Sequence, residues 1–245
     1  MTGSENILDV ERLTKRFAGL VAVSDVSFTV PRRSITALIG PNGAGKTTCF
    51  HMIAGVLAPT SGRVQFEDRD IDRLPPEMRC RLGIARTFQI VRPLGGMTVL
   101  DNVMVGALSH PITMTEARRR ALDVLDIVGL AAKRDQSAST LTLPDRKMLE
   151  LAKAISTRPL LLLLDEVMAG LRPAEADTIA AVLRALQKDG MTILLIEHVM
   201  RVVMALAEKI VVLHHGEKIA DGAPQDVTSN PRVIESYLGR KARVA

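Results

Sequence analysis

An α/β fold with buried parallel strands and an all-helical insertion follows from three features of the sequence. Residues 35–48 read ITALIGPNGAGKTT, an apolar run, a glycine-rich loop and a stretch of helical character in direct succession. Leu160–Leu164 is uniformly apolar, as a strand covered on both faces of a parallel sheet should be, and Thr192–Ile196 reads as a second buried strand. From Val99 to about Ser156 the apolar spacing is helical, with few β-prone runs.

Taken in order, Asp25–Val30 and Ile35–Ile39 are β-rich runs parted by the turn-like Pro31, Arg32, Arg33 and Ser34. The helix after the glycine loop is expected to begin at about Lys46 and run to Gly55. Thr60-Ser61-Gly62 predicts a turn, and RVQFED at 63–68 a strand. A short helix is expected near 77–82, after the Pro75-Pro76 break, and a loop at Pro93–Gly96. In the helical stretch, Leu122, Leu125, Val128 and Leu130 make one apolar face, and Leu149, Ala152 and Ile155 another. Ala174–Lys188 is amphipathic and stops at Gly190. A helix is expected over Met200–Glu208. Ile210–Leu213 and Lys218–Ala220 flank His214-His215-Gly216-Glu217 as a hairpin, and Val233–Leu238 closes as a short helix. There is no internal repeat and no low-complexity segment.

Composition narrows the class. At 245 residues the chain is one large domain, or a core with an inserted subdomain, and can bury a sizeable core unaided. Apolar residues make up 47%, which excludes a disordered chain. Two cysteines, Cys49 and Cys80, are too few for a disulfide scaffold, so a reducing compartment is expected. The polar, acidic start MTGSENILDVERL is unlike a signal peptide. Leu160–Leu164, the most apolar stretch, is far short of the ~20 residues a membrane helix needs. The net charge of +5 is compatible with nucleic acid, acidic lipid or nucleotide, but aromatics are only 2% and Trp is absent. Stacking platforms for bases are therefore nearly lacking, and no nucleic-acid partner is expected. The basic cluster Arg118–Arg120 reads as a solvated helix face.

The glycine loop carries the chemistry. Gly40-Pro41-Asn42-Gly43-Ala44-Gly45-Lys46-Thr47-Thr48 matches G-x-x-x-x-G-K-[ST] completely. Glycines let the backbone curl with its N–H groups turned inward on a β-phosphate, and keep Cβ atoms out of the way. Lys46 brings a cation to the β- and γ-phosphates, the Thr47 hydroxyl is placed for Mg²⁺, and the following helix presents its positive end.

A second set of residues completes the chemistry. In LLLLLDE, at 160–166, an apolar strand ends in Asp165, a carboxylate at the strand edge where ligands bind in α/β sheets. Asp165 is placed to hold Mg²⁺ through water. Glu166 is placed to polarise a water for in-line attack on the γ-phosphate. Ile193–Ile196 runs into Glu197-His198, and His198, at the end of a second buried strand, is placed to reach the γ-phosphate or Glu166.

Together these residues resemble the ATP-binding subunits of ABC transporters, over about residues 7–240. GPNGAGKTT is similar to Walker A, and LLLLLDE to Walker B with its catalytic glutamate. By the same resemblance, Gln89 in ARTFQ is the Q-loop glutamine that meets Mg²⁺ and the membrane subunit, and His198 is the switch histidine. Ala169–Pro173 occupies the D-loop, and Phe17 in KRFAGLVAV is the aromatic that stacks on adenine. The implied fold is a P-loop NTPase (RecA-like) core with an antiparallel β subdomain, both within 7–89 and 158–240, and a helical subdomain over about 90–157. ARTFQ, MTVLDNVMVGA, DEVMAGLRPAE, LLIEHVM and the terminal SYLG are similar to the branched-chain amino acid importer subgroup. The lipopolysaccharide-export ATPase is a near neighbour, sharing the compact length and the Tyr-Leu-Gly ending.

One motif departs from the family pattern. Where LSGGQ is expected, the chain has Leu141-Thr142-Leu143-Pro144-Asp145. Thr142 keeps a hydroxyl for the γ-phosphate of ATP on a partner subunit. Leu143 and Pro144 replace both glycines, and Pro144 has no N–H to donate. Proline is comfortable in a first helical turn, so the fold need not suffer. Asp145 sets a carboxylate near phosphate and needs an offsetting cation, with Arg146 or Lys147 the nearest in sequence. Arg172, where the family often has Asn or Asp, is a second departure.

The resemblance implies an ATPase using ATP and Mg²⁺. Two copies, or this chain and a paralogue, would sandwich two ATP molecules head to tail. Permease subunits would dock on the helical subdomain, and a periplasmic binding protein would act indirectly. The place would be the cytoplasmic face of the inner (plasma) membrane, held peripherally. A DNA-repair or switch ATPase lacks support, since zinc knuckles and coiled-coil inserts are missing from the sequence. A low-activity, nucleotide-gated subunit is the alternative that the altered signature allows, and the complete Asp165-Glu166 and His198 argue against it.

Overall fold

A computed structural model describes residues 4–87 and 93–238. Strands β1 (Asn6–Phe17), β2 (Leu20–Pro31) and β3 (Ile35–Ile39) precede helix α1 (Lys46–Ile53). Then come β4 (Ser61–Phe66), β5 (Arg69–Asp70), α2 (Pro76–Leu82) and β6 (Ile84–Arg86). Helices α3 (Val99–Ala107), α4 (Met114–Ile127) and α5 (Leu143–Ser156) follow, with short 3-10 turns at Ala131–Lys133 and Ala138–Thr140. The chain continues through β7 (Leu161–Asp165), α6 (Pro173–Lys188), β8 (Thr192–Ile196) and α7 (Met200–Leu206). It closes with β9 (Lys209–His214), β10 (Glu217–Gly222), α8 (Pro224–Ser229) and α9 (Pro231–Leu238). These elements form two compact units, one of residues up to Pro76 together with those from Thr192 onward, the other Glu77–Met191.

The first unit holds an antiparallel sheet in the order β2-β1-β4-β5. In β2, Val26, Phe28 and Val30 are buried while Ser27 and Thr29 are half-buried, the period-two signature of a sheet with one face in the core. In the same unit β3 lies between β8 and β9, parallel to both, and β10 pairs antiparallel with β9. All five residues of β3 and all five of β8 are buried, which is why their sequences are apolar without alternation. This sets the glycine loop at the C-terminal end of β3.

In the second unit β6 and β7 pair in parallel, Ile84 opposite Leu161 and Arg86 opposite Leu163. The helices bury most of the faces expected of them. On α4 the buried apolar positions are Ala117, Ala121, Val124 and Leu125, continued by Val128. Leu149, Ala152 and Ile155 of α5 are buried as expected. Each large aliphatic side chain so placed contributes about 1.5–3 kcal/mol over leaving it in water. Starts are fixed by capping. Thr98 accepts from the Asp101 N–H at 3.0 Å while Asp101 accepts from the Thr98 N–H at 3.3 Å. Gly106 of α3 meets α5 so closely that a Cβ there would fall 2.2 Å from Ser156 Oγ and 2.4 Å from the Lys153 carbonyl oxygen.

Several expectations need correction. Strand β4 ends at Phe66, because Glu67 and Asp68 both take left-handed φ (53° and 59°), the pair a two-residue type I′ turn requires. Leu160 is half-exposed outside β7, and Asp165 belongs to the strand itself. Leu122 is half-buried, and Val124 takes its place in the core. Helix α7 stops at Leu206: Ala207 turns extended, and the Glu208 N–H donates to the Ile35 carbonyl at 2.9 Å to open β9. Arg118 and Arg119 are exposed as a solvated face should be, but Arg120 is buried. Strands β1, β5 and β6 and helix α8 had no expectation. Both cysteines are free thiols, and burial pushes Cys49 up to about 12.

Candidate functional site

The glycine loop is shaped by two close backbone approaches. Gly40 has φ 149°, and a Cβ there would stand 2.1 Å from the Leu213 carbonyl oxygen. Gly45 has φ 97°, and its Cβ would stand 2.5 Å from the Ala22 carbonyl oxygen. Only glycine satisfies both demands at these positions. Gly45 is the N-cap of α1, so no side chain caps the helix, and the first turn contains no acidic residue. The leading N–H groups of α1 and its positive end are therefore left for an anion. Lys46 is buried, and its Nζ donates to the carbonyls of Gly40 (2.8 Å) and Pro41 (3.0 Å). The ammonium is thus held over the loop.

A cavity of about 400 Å³ opens against this loop, lined by Gly43, Ala44, Gly45, Lys46, Thr47 and Thr48. Its other walls are Leu20, Val21 and Ala22 of β2, with His215 and Gly216 of the β9–β10 turn. The turn is tied to the loop, since Gly216 N–H donates to the Ala44 carbonyl (3.1 Å) and Ser24 N–H to the Gly216 carbonyl (2.8 Å). Sequence reasoning missed these wall residues. The apolar LVA after the β1–β2 turn was the available signal. His215 gave none beyond its hairpin, although its φ of 49° marks a forced turn. Phe17 is 43% exposed at the end of β1, opposite Leu20, with Lys15 Nζ 5.2 Å from its ring centroid. It is therefore not a core phenylalanine.

In the second unit β7 delivers Asp165, which is 3% exposed. The Asp165 N–H donates to Thr87 Oγ1 at 3.4 Å, and the Thr87 N–H to the Leu163 carbonyl at 2.9 Å. Arg86 faces Asp165 electrostatically: burial lowers the guanidinium's pKa, and the carboxylate offsets part of the drop. Glu166 sits at φ 48°, a left-handed conformation costly for a non-glycine residue. Its carbonyl accepts from the Ala169 N–H (3.1 Å) and from Lys147 Nζ (3.4 Å), and Lys147 is buried. His198 is exposed just beyond β8 in the first unit. Gln89 lies outside the described residues.

The Thr142 segment is the start of α5. Thr142 is the N-cap, accepting from the Asp145 N–H (3.4 Å) and donating its hydroxyl to Asp145 Oδ2 (2.7 Å). Leu143 and Pro144 fill the first turn, where the missing proline N–H breaks no helical bond. The offset for Asp145 is neither of its sequence neighbours. Arg146 turns back to the carbonyls of Leu141 and Ser139 (2.8 Å each), and Lys147 goes to Glu166. Lys133 supplies the charge, at 2.6 Å. Burial alone would raise the Asp145 carboxyl, but the Lys133 ammonium and Thr142 hydroxyl outweigh it and hold it below the ordinary carboxylate range. Arg172 is spent locally, paired with Glu175 in its own helix.

A glycine loop between a buried strand and an uncapped helix, with its lysine laid over it, defines a P-loop nucleotide-binding α/β protein. The family model for ABC transporters matches residues 23–169, and that for the branched-chain amino acid ATP-binding cassette transporter matches residues 217–243. The chain belongs to the ABC transporter family, whose ATP-binding subunits bind nucleotide and hydrolyse ATP. It is 40% identical, over 96% of its length and 99% of the relative's, to the high-affinity branched-chain amino acid transport ATP-binding protein BraF of Pseudomonas aeruginosa. It is 38% identical to the corresponding LivG of Escherichia coli over the same shares of both chains. The lipopolysaccharide export ATP-binding protein of Acidithiobacillus ferridurans is more distant at 32%, over 97% of this chain and 99% of that one. Among solved structures, an ATP-binding cassette of an ABC transporter in its ADP conformation superposes with a TM-score of 0.88, 32% identity, and coverage of 96% of this chain and 100% of that one.

The Lys133–Asp145 pair has a pH signature. Because the Asp145 pKa is depressed in the folded state, its stabilisation is present above the unfolded carboxylate pKa and disappears as pH falls through the folded value. Lys133→Ala should cost about 0.5–1 kcal/mol near pH 7, as partly exposed pairs do. In urea unfolding the gap should persist at about pH 5 and narrow only below about pH 4, the ordinary carboxylate range. A gap unchanged in acid would refute the pairing.

Proposed function

We propose that the chain is the ATP-hydrolysing subunit of an ABC importer, powering uptake of branched-chain or related amino acids through partner permeases. The observation that carries this reading is the C-terminal match at residues 217–243 to the branched-chain amino acid cassette, alongside near-full-length likeness to BraF and LivG. The lipopolysaccharide-export alternative has weaker support, at lower identity. Residues 7–240 would work as one ATPase domain, with the permeases docking on the helical stretch of about 90–157. No described helix is long and apolar enough to cross a membrane, which fits a peripheral subunit at the cytoplasmic face that reaches the bilayer through its permeases.

The residues have distinct tasks. Backbone N–H groups of Gly43–Thr47 bind the phosphates, and Lys46 leaves its loop carbonyls to neutralise the β- and γ-oxygens. Phe17 and the Leu20–Ala22 wall offer apolar surface to the base. Thr47 and Asp165 offer the hard oxygen donors that Mg²⁺ takes, and Gln89 adds a third. Among the described residues no group of three or more His, Cys, Asp or Glu forms an all-protein cage, which fits an ion held largely by phosphate and water. When bound, that ion would neutralise charge on the triphosphate. Glu166 orients the attacking water, and its left-handed backbone, held through Lys147, fixes where the carboxylate starts from. His198 steadies the γ-phosphate. A second protomer, identical or a paralogue, contributes its Thr142 segment to complete each site.

Two variants test the reading. Glu166→Gln should bind ATP, accumulate as a closed dimer on size exclusion and hydrolyse little; turnover like the parent's would remove Glu166 from its role. Pro144→Gly restores a backbone donor at the partner's phosphate. A hydrogen bond to a charged group is worth about 1.5–3 kcal/mol, so ATPase should rise roughly ten- to hundredfold. An unchanged rate would show that the altered signature does not limit the enzyme.

A further inference from the structure

The second unit holds another cavity of about 400 Å³, lined by none of the residues given a role above. It is formed by α4, the end of α5 and the loop after it, and the end of α6 with the turn that follows. Its character is divided. Val124, Ile127, Ile155, Leu160 and Leu186 give an aliphatic wall. Ile127 and Leu160 remain 47% and 49% exposed, an unusual investment of apolar surface facing solvent. Two arginines, Arg120 and Arg158, line the same cavity.

Arg120 is 7% exposed, yet poorly satisfied. Among the described residues its one hydrogen bond is a 3.5 Å contact from Nη1 to the Ser156 carbonyl, and its buried Nε has none. Two carboxylates of its own helix, Glu116 and Asp123, are engaged by another arginine. Glu116 is held by Arg119 at 2.8 Å and Asp123 by Arg119 at 3.3 Å, while Arg158 reaches Glu116 only at 3.9 Å. Burial, and then repulsion from Arg158, pulls the Arg120 pKa down. A buried cation beside a second cation, short of acceptors, is a costly arrangement that an incoming anion would relieve.

We propose that this cavity binds a small aliphatic carboxylic acid, its carboxylate on Arg120 and Arg158 and its tail on the aliphatic wall. A single-charged carboxylate fits the planar fork of a guanidinium. Inorganic phosphate fits less well, since it is strongly hydrated, prefers two charges, and would face Asp123 and Asp189 on the cavity wall. Those two aspartates allow an α-ammonium, so an amino acid and a plain acid share the chemistry. The inference stands independently of the ATPase reading.

Calorimetry on the full chain with 4-methylpentanoate, L-leucine and inorganic phosphate tests it. At least one of the two acids should bind saturably at about millimolar or tighter, and phosphate more weakly. The preferred acid tells whether the aspartates take an ammonium. Arg120→Gln should weaken binding about tenfold or more, the loss of a charge-assisted bond. Should that buried substitution unfold the protein, Ile127→Glu, at an exposed wall position, should repel the same acid to a similar degree. No saturable binding of either acid, phosphate binding as tight as theirs, or binding indifferent to a folded variant would overturn the proposal.

Discussion

The approach of the loop backbone to the Leu213 and Ala22 carbonyls is the constraint on which the nucleotide site depends. At Gly40 and Gly45 there is no room for a Cβ, and both φ values lie where L side chains are strained. The loop turns back on itself where the Ala44 N–H donates to the Pro41 carbonyl at 3.2 Å. It also makes Gly45 the cap of α1, which leaves the helix terminus uncapped by any side chain. The lysine that follows is buried and satisfied for the moment by two loop carbonyls. A buried ammonium needs partners, and the loop provides them. The β9–β10 turn and the start of β2 buttress this arrangement through Gly216 and Ser24.

The altered signature segment follows a related logic. Helix α5 starts cleanly because Thr142 caps it and Pro144 occupies a first-turn position whose N–H would be orphaned anyway. What proline removes is a donor to something outside the helix. Asp145 adds a negative charge at the same terminus, favourable to the helix dipole and tolerable because Lys133 holds it. The segment is therefore well built as a helix start despite the loss of both glycines.

Much of this was legible in the sequence, and the exceptions have physical reasons. Buried parallel strands such as Leu161–Asp165 and Thr192–Ile196 announce themselves because both faces need apolar residues. The glycine loop is legible because its steric demands admit only glycine. Strand β1 was missed because NILDVERLTKRF mixes charges through irregular pairing, with register shifts that blur the alternation. Strand β6 has three residues, too few for any period. Partners distant in sequence were invisible: Lys133 lies 12 residues from Asp145, and neighbours looked the better candidates. Arg120 shows the same limit, since a charge run gives no sign of which member turns inward. The wall at Leu20–Ala22 and His215–Gly216 depends on how β2 and a distant hairpin meet the loop.

The grip of Lys46 and the loop on a nucleotide is the central claim, and a calorimetric titration of the parent and Lys46→Ala with MgATP tests it most directly. The account predicts a saturable exotherm for the parent and a loss of at least about tenfold in affinity for the variant, the scale of a charge-assisted contact. Equal binding by a folded Lys46→Ala protein, or no heat from the parent, would contradict it.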